Sequence, residues 1–130
     1  MDDQIQYYQK KLQYEIDSWD LNKALSENEN IIVIDTRSEE AYAKEHIATA
    51  INIPHKSITA SNTSELDKAA LYVTYCDGIG CNGSTKGALN MTKLGFSVKE
   101  LLGGIAWWIR DGHETEGNIV HHEPKGHCGC

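Results

Sequence analysis

Ile31-Ile32-Val33-Ile34 is β-branched at every position, with no alternation of apolar and polar residues. A strand of that kind offers water nothing on either face, so it must be covered on both, as an interior strand of a parallel or mixed sheet is. Leu71-Tyr72-Val73-Thr74-Tyr75 is a second such run, while Ala50-Ile51-Asn52-Ile53, closed by Pro54, and Val98–Leu102 read as further strands. Between the strands the apolar period becomes helical. Trp19, Leu21 and Leu25 follow a cap at Asp17 or Ser18, reached from a short Glu15-Ile16 link, and Asn28-Glu29-Asn30 ends that helix. Thr36-x-x-Glu39 fits a capping box, with Ser38 as the rival cap, for a short helix through Tyr42 to about Glu45. Ser64-Glu65-Leu66-Asp67 opens another. Ala88, Leu89, Met91 and Leu94 mark a helix from Ser84 to Leu94, and Ile105, Trp107, Trp108 and Ile109 mark one after Gly103-Gly104, with the two tryptophans divided between core and surface.

Strands alternating with helices along one short chain predict an α/β fold with a mainly parallel central sheet flanked by helices. A length of 130 residues predicts one domain, expected over residues 15–112. Ahead of it, residues 1–14 carry Ile5, Tyr8 and Leu12 at helical spacing, an amphipathic extension. Behind it, residues 113–130 form a Cys/His-containing tail, without periodicity from Glu116 onward, expected to be a loose surface segment.

Lys and Arg number 12 against 19 for Asp and Glu, a net charge of −7, and no basic patch stands out, so neither a nucleic acid nor an anionic membrane is an expected partner. Met1-Asp2-Asp3-Gln4 lacks the features of an export signal and no apolar run is long enough to span a bilayer, so the cytoplasm is the expected location. Four cysteines, Cys76, Cys81, Cys128 and Cys130, are in that setting expected to serve thiol chemistry or metal binding rather than structural disulfides.

The informative segment is Tyr75-Cys76-Asp77-Gly78-Ile79-Gly80-Cys81-Asn82-Gly83-Ser84-Thr85-Lys86, between a buried strand and a helix. In an open α/β sheet ligands bind outside the carboxyl ends of the strands, which is where this segment falls. Gly78, Gly80 and Gly83 let successive backbone N–H groups turn inward as a nest for an anion, and the helix behind adds partial positive charge. A thiol there ionises more readily than a free cysteine, and only the thiolate is a good nucleophile, so Cys76 is the candidate nucleophile. Cys81 has two readings: it attacks a sulfur carried on Cys76 and resolves it as a disulfide, or it packs beneath the loop as a small apolar residue.

Taken together, Ile34-Asp35-Thr36-Arg37, then Glu45-His46-Ile47-Ala48-Thr49-Ala50-Ile51-Asn52-Ile53-Pro54, then Val73-Thr74-Tyr75-Cys76, then Leu94-Gly95-Phe96 and Leu102-Gly103-Gly104-Ile105-Ala106-Trp107 resemble the rhodanese (sulfurtransferase) homology domain, from about Glu15 to Gly112. The resemblance implies a rhodanese-like three-layer α/β sandwich in which Cys76 carries a persulfide from a sulfur donor to a thiol or cyanide acceptor, with no cofactor and no metal. It implies supporting roles for Asp35, Arg37 and His46 near the site. The chain departs from the family pattern in a longer loop, in the lack of an arginine in or just after it, with Lys86 the nearest cation and a possible auxiliary, and in Asp77 beside the nucleophile. A negative charge there opposes a dianion such as thiosulfate, which points to a small-molecule or protein persulfide as donor. Whether the chain acts as monomer or homodimer stays open.

Other readings compete. A non-catalytic interaction or sulfur-sensing module on the same fold would keep the Cys76 thiol without turnover. Gly78-x-Gly80-x-x-Gly83 also matches a dinucleotide fingerprint, with Glu100 placed as ribose ligand, although Asp77 would face the pyrophosphate. A cysteine phosphatase would need an arginine ending the loop, where Cys81, Asn82 and Gly83 stand. The tail residues His121, His122, His127, Cys128 and Cys130 are soft ligands, but Cys-x-Cys is tighter than the usual zinc spacing. His55, His113, His121 and His122 are expected to face solvent.

Overall fold

The computed structural model describes residues 1–119. Five parallel strands form the central sheet: β1 (Glu15–Ile16), β2 (Ile31–Asp35), β4 (Ile51–Asn52), β5 (Leu71–Tyr75) and β6 (Ser97–Leu101), in the spatial order β1-β6-β5-β2-β4. The β-branched run and its partner Leu71–Tyr75 lie side by side at the centre, in register from Ile31 opposite Leu71 to Asp35 opposite Tyr75. Each therefore feeds two cores. On one face Val33, Val73 and Tyr75 pack with Leu21, Ile105 and Trp108 from α2 (Ser18–Ser26) and α5 (Gly104–Arg110), with Tyr42 of α3 (Glu39–Lys44) against them. On the other, Ile34 and Tyr72 meet Met91 of α4 (Gly83–Lys93), Ile58 and Phe96. The fold is thus the expected three-layer α/β sandwich, with α1 (Asp2–Tyr14) ahead of it contributing no buried residue.

Several local expectations are corrected. Glu15–Ile16 is not a mere link but an edge strand paired with Glu100–Leu101. Ser38, not Thr36, caps α3 by accepting from the Ala41 N–H; Thr36 is instead buried, donating both its amide and its hydroxyl to the Tyr75 carbonyl. Asp17 rather than Ser18 caps α2. No helix forms at Ser64–Asp67: the segment is a series of turns, in which the hydroxyls of Thr59, Thr63 and Ser64 bond to nearby backbone and compete with helical pairing. Nor is the chain after Gly112 loose at once. Thr115–Glu116 is a strand, β7, antiparallel to β3 (His46–Ile47), and His113 packs its ring against both Trp19 and Trp108 rather than facing solvent. Trp108 is buried and Trp107 is partly exposed beneath Arg110, the division expected of the pair. The tail residues His121, His122, His127, Cys128 and Cys130 lie outside the described residues.

One contact ties this scaffold to the loop that follows β5. The first turn of α5 donates from Ile105 N–H to the Cys76 carbonyl at 3.0 Å and from Ala106 N–H to the Asp77 carbonyl at 2.9 Å. So close an approach leaves no room for a side chain at Gly104, whose φ is +60° and whose missing Cβ would meet the Cys76 carbonyl and the Asp77–Gly78 backbone. Gly104→Ala is expected to cost about 2 kcal/mol or more, from the left-handed backbone and from overpacking together. Urea unfolding would measure it, and amide exchange at residues 77–82 should rise more than elsewhere.

Candidate functional site

β2, β4 and β5 end together at the carboxyl edge of the sheet, and each hands the site something. β2 delivers Asp35, then Thr36 and Arg37; β5 delivers Tyr75, then Cys76 and Asp77; β4 leads through Pro54 to His55. Asp35 is wholly buried. Its carboxylate accepts from the Tyr75 hydroxyl at 2.7 Å and is gripped by Arg37 through Nη2 at 2.8 Å and Nε at 3.0 Å. Burial opposes the charge on Arg37, but the hydrogen bonds and attraction of Asp35 outweigh that and hold the guanidinium protonated beyond its ordinary range. The same Arg37 also donates to the Glu45 carbonyl at 2.5 Å and, through Nη1, to Asp77 Oδ1 at 3.2 Å. Lys86, the nearest cation in sequence, is exposed on α4, and Arg37 is the cation that pairs with Asp77 in the loop.

The sulfur pocket lies one step further out. Cys76 is buried and Cys81 half-buried, and the two are joined by a disulfide within the loop. The loop closes by Cys81 N–H donating to the Gly78 carbonyl at 3.2 Å, while Gly83 N–H donates to Cys81 Sγ at 3.4 Å. A Cβ on Gly83 would stand 3.1 Å from Cys76 Sγ, 3.5 Å from Cys81 Sγ and 3.6 Å from the His55 ring, so all three side chains converge on the space that this glycine leaves empty. An Asp77 carboxylate oxygen lies within 4.8 Å of both sulfurs. At the loop tip Ile79 is exposed. Behind the loop, Ser84 and Thr85 hydroxyls donate to Glu100 at 3.0 and 2.7 Å, so this carboxylate is engaged in holding the start of α4. Thr74 completes the brace, its hydroxyl donating to the Ser84 carbonyl.

The sequence-derived residues thus divide. Cys76, Asp77, Cys81 and Gly83 surround the sulfurs, Gly78, Ile79, Gly80 and Asn82 build the loop, Ser84 anchors it, and Asp35 and Arg37 support it from below. His46 supports at a distance: its ring stacks on Tyr42 at 3.7 Å and its Nδ1 bonds the Tyr42 carbonyl, fixing the strand that pairs with β7. Two residues were missed. His55, expected to face solvent, is half-buried with its ring beside Gly83; the signal lay in its place just past the carboxyl end of a parallel strand, the same edge as Cys76. Tyr75 reads as a core residue, yet its hydroxyl is a working part of the support, donating to Asp35 and accepting from the Ile47 N–H at 3.0 Å.

A parallel α/β sandwich with a cysteine loop seated between its central strand β5 and the starts of α4 and α5 defines the class of domain. Residues 18–111 match the Rhodanese-like domain family, and the chain belongs to it. It is 34% identical over 88 residues to the uncharacterized protein YibN of Escherichia coli, an alignment covering 65% of this chain and 59% of that protein, so it matches well under two thirds of its relative's length. The crystal structure of the BH2092 protein of Bacillus halodurans is 45% identical, with a TM-score of 0.85 over 89% of this chain and 85% of that one. A thiosulfate sulfurtransferase of Pseudomonas aeruginosa is 25% identical, with a TM-score of 0.66 over 80% of this chain but 19% of that larger one. Among the described residues no helix is long and apolar enough to cross a membrane.

Burial, with the charge of Asp35 and the hydrogen bond to it, pushes the Tyr75 phenol well above its ordinary value of 10.0. The folded state therefore holds this proton more tightly than the unfolded chain, so the stability it contributes is complete below that ordinary value and declines as pH rises past it. Tyr75→Phe should cost about 1–3 kcal/mol at neutral pH, by leaving Asp35 and the Ile47 amide each short of a partner. It should also flatten the loss of stability above pH 10.0 without abolishing it, since burial also raises Tyr42 and Tyr72. Urea titrations at a series of pH values would check both effects.

Proposed function

We propose that this rhodanese-like protein is a sulfurtransferase in which Cys76, in its reduced form, takes sulfane sulfur from a persulfide donor and passes it to a thiol acceptor. The observation that carries this reading is the position of Cys76: it follows β5 at the carboxyl edge of the central sheet, with its sulfur against Gly83 at the start of α4, so close that a side chain there would crowd it. The positive end of the α4 dipole faces that sulfur, an environment that suits an attacking thiolate. The thiolate attacks the outer sulfur of the donor persulfide, the donor thiolate leaves with the bonding pair, and the Cys76 persulfide then offers its outer sulfur to the acceptor thiolate. Atoms and electrons balance without cofactor or metal.

Asp77 selects the donor. Its carboxylate shares the pocket mouth with both sulfurs, and Arg37 compensates it at 3.2 Å from the side away from solvent. A singly charged persulfide meets less repulsion there than doubly charged thiosulfate. The thiosulfate sulfurtransferase of Pseudomonas aeruginosa is similar in fold, but thiosulfate is not the donor proposed for this chain.

Intact mass after treating the reduced protein with glutathione persulfide tests the reading. Replacing Cys81 with serine, to keep any bound sulfur in place, the chain should gain the mass of one sulfur atom, and Cys76→Ser in that background should abolish the gain. No gain at Cys76 would sink the sulfurtransferase reading in favour of a non-catalytic module on the same fold. In a cyanide assay, Asp77→Asn should raise turnover with thiosulfate by about tenfold while changing turnover with glutathione persulfide far less, as removal of one partly screened like charge implies. Wild-type kinetics equally good with both donors would remove Asp77 as the selector.

A further inference from the structure

Resting on Cys76 as the sulfur carrier, the geometry points to a second activity: we propose that Cys81 discharges the Cys76 persulfide as hydrogen sulfide, making the domain a persulfide reductase that draws its electrons from an external dithiol. Cys81 lies in the same loop as Cys76, near enough for the two sulfurs to bond without any movement of the sheet or helices, since the bond is already made in this structure. Gly83 N–H donates to Cys81 Sγ, so the helix start holds the second sulfur beside the first. Gly83 also offers no Cβ to separate them.

The steps balance. Cys81 thiolate attacks Cys76 Sγ, the inner sulfur of the persulfide. The bond from Sγ to the outer sulfur breaks, and that sulfur leaves with the electron pair as hydrosulfide, taking a proton from solvent. The sulfane sulfur is reduced by two electrons and the two cysteines are oxidised to their disulfide, so no outside oxidant is needed. The disulfide of this structure is the same bond that one such discharge forms.

The difference in exposure of the two sulfurs then decides how the cycle closes. Cys76 is 5% exposed, whereas Cys81 is half-buried beside the exposed loop tip. An incoming dithiol meets Cys81 first, forms a mixed disulfide with it, and expels Cys76 as the thiolate ready for the next sulfur. The second thiol of the reductant displaces Cys81 and leaves as the reductant's own disulfide. In sum, one persulfide and one dithiol give one thiol, one hydrogen sulfide and one disulfide. Cys76 is the entry point for sulfur and Cys81 the entry point for electrons.

The test uses the full-length reduced chain, held anaerobically, given one equivalent of glutathione persulfide, with sulfide trapped by a bimane reagent and the protein weighed intact. It is repeated in a Cys128→Ser, Cys130→Ser background so that only the loop cysteines can answer. Wild type should release one sulfide per chain and end lighter by two hydrogen atoms. Cys81→Ser should release none and stay heavier by one sulfur, and Cys76→Ser should do neither. Wild type that keeps its extra sulfur as Cys81→Ser does, with no sulfide released, would overturn the reductase proposal and leave the carrier reading standing. Failure of both proteins to take up or release sulfur would overturn the carrier reading beneath it. With excess persulfide, sustained sulfide production should require dithiothreitol, and an equal rate with a monothiol reductant would count against entry of electrons by dithiol exchange at Cys81.

Discussion

A carboxylate with no access to water, Asp35, sits at the end of β2, and the pocket is assembled outward from the need to satisfy it. One oxygen takes the Tyr75 hydroxyl, both take Arg37, and the Arg37 amide closes on Asp35 Oδ1 at 2.9 Å. Each partner carries the constraint to another element. Tyr75 passes it to the Ile47 amide and so to β3; Arg37 passes it to the Glu45 carbonyl at the end of α3 and to Asp77 in the loop. Removing either member of such a buried pair leaves a charge stranded, at a cost of about 3–5 kcal/mol. The stiffness of the loop base is therefore a by-product of burying one negative charge between two strands.

That arrangement was partly legible in the sequence. The unbroken apolar runs of β2 and β5 announced a sheet covered on both faces, and a glycine-rich cysteine loop after the second run placed the site, because both signals are local and belong to short windows. What was not legible depends on partners distant in the chain. Nothing near Glu15-Ile16 indicates that β6, some eighty-five residues on, will pair with it. Thr115–Glu116 becomes a strand because His46–Ile47 is there to receive it. The capping box at Thr36 failed because a tertiary bond, its hydroxyl to the Tyr75 carbonyl, claimed the side chain first, leaving Ser38 to cap the helix.

Within the site the same rule holds. Cys76 and Asp77 could be placed by their position after a strand, whereas the source of the compensating cation could not. Lys86 is nearer in sequence, but it sits exposed on α4, while Arg37 lies just past the end of the neighbouring parallel strand β2 and reaches across. His55 escaped notice because reading it into the pocket requires the order β5-β2-β4, which no periodicity encodes.

The two outermost strands, β1 and β4, are only two residues long, against five for each of the three between them. An unpaired strand edge is a template on which other chains add, and a long flat one invites fibre formation. Here an intruding strand finds almost no ladder to extend: on one side Pro54, which has no N–H, follows two residues behind β4, and on the other α1 adjoins β1, with Lys11 bonded to Glu15 at 2.6 Å. The domain thus gains resistance to edge-to-edge aggregation from the brevity of the strands that frame its sheet.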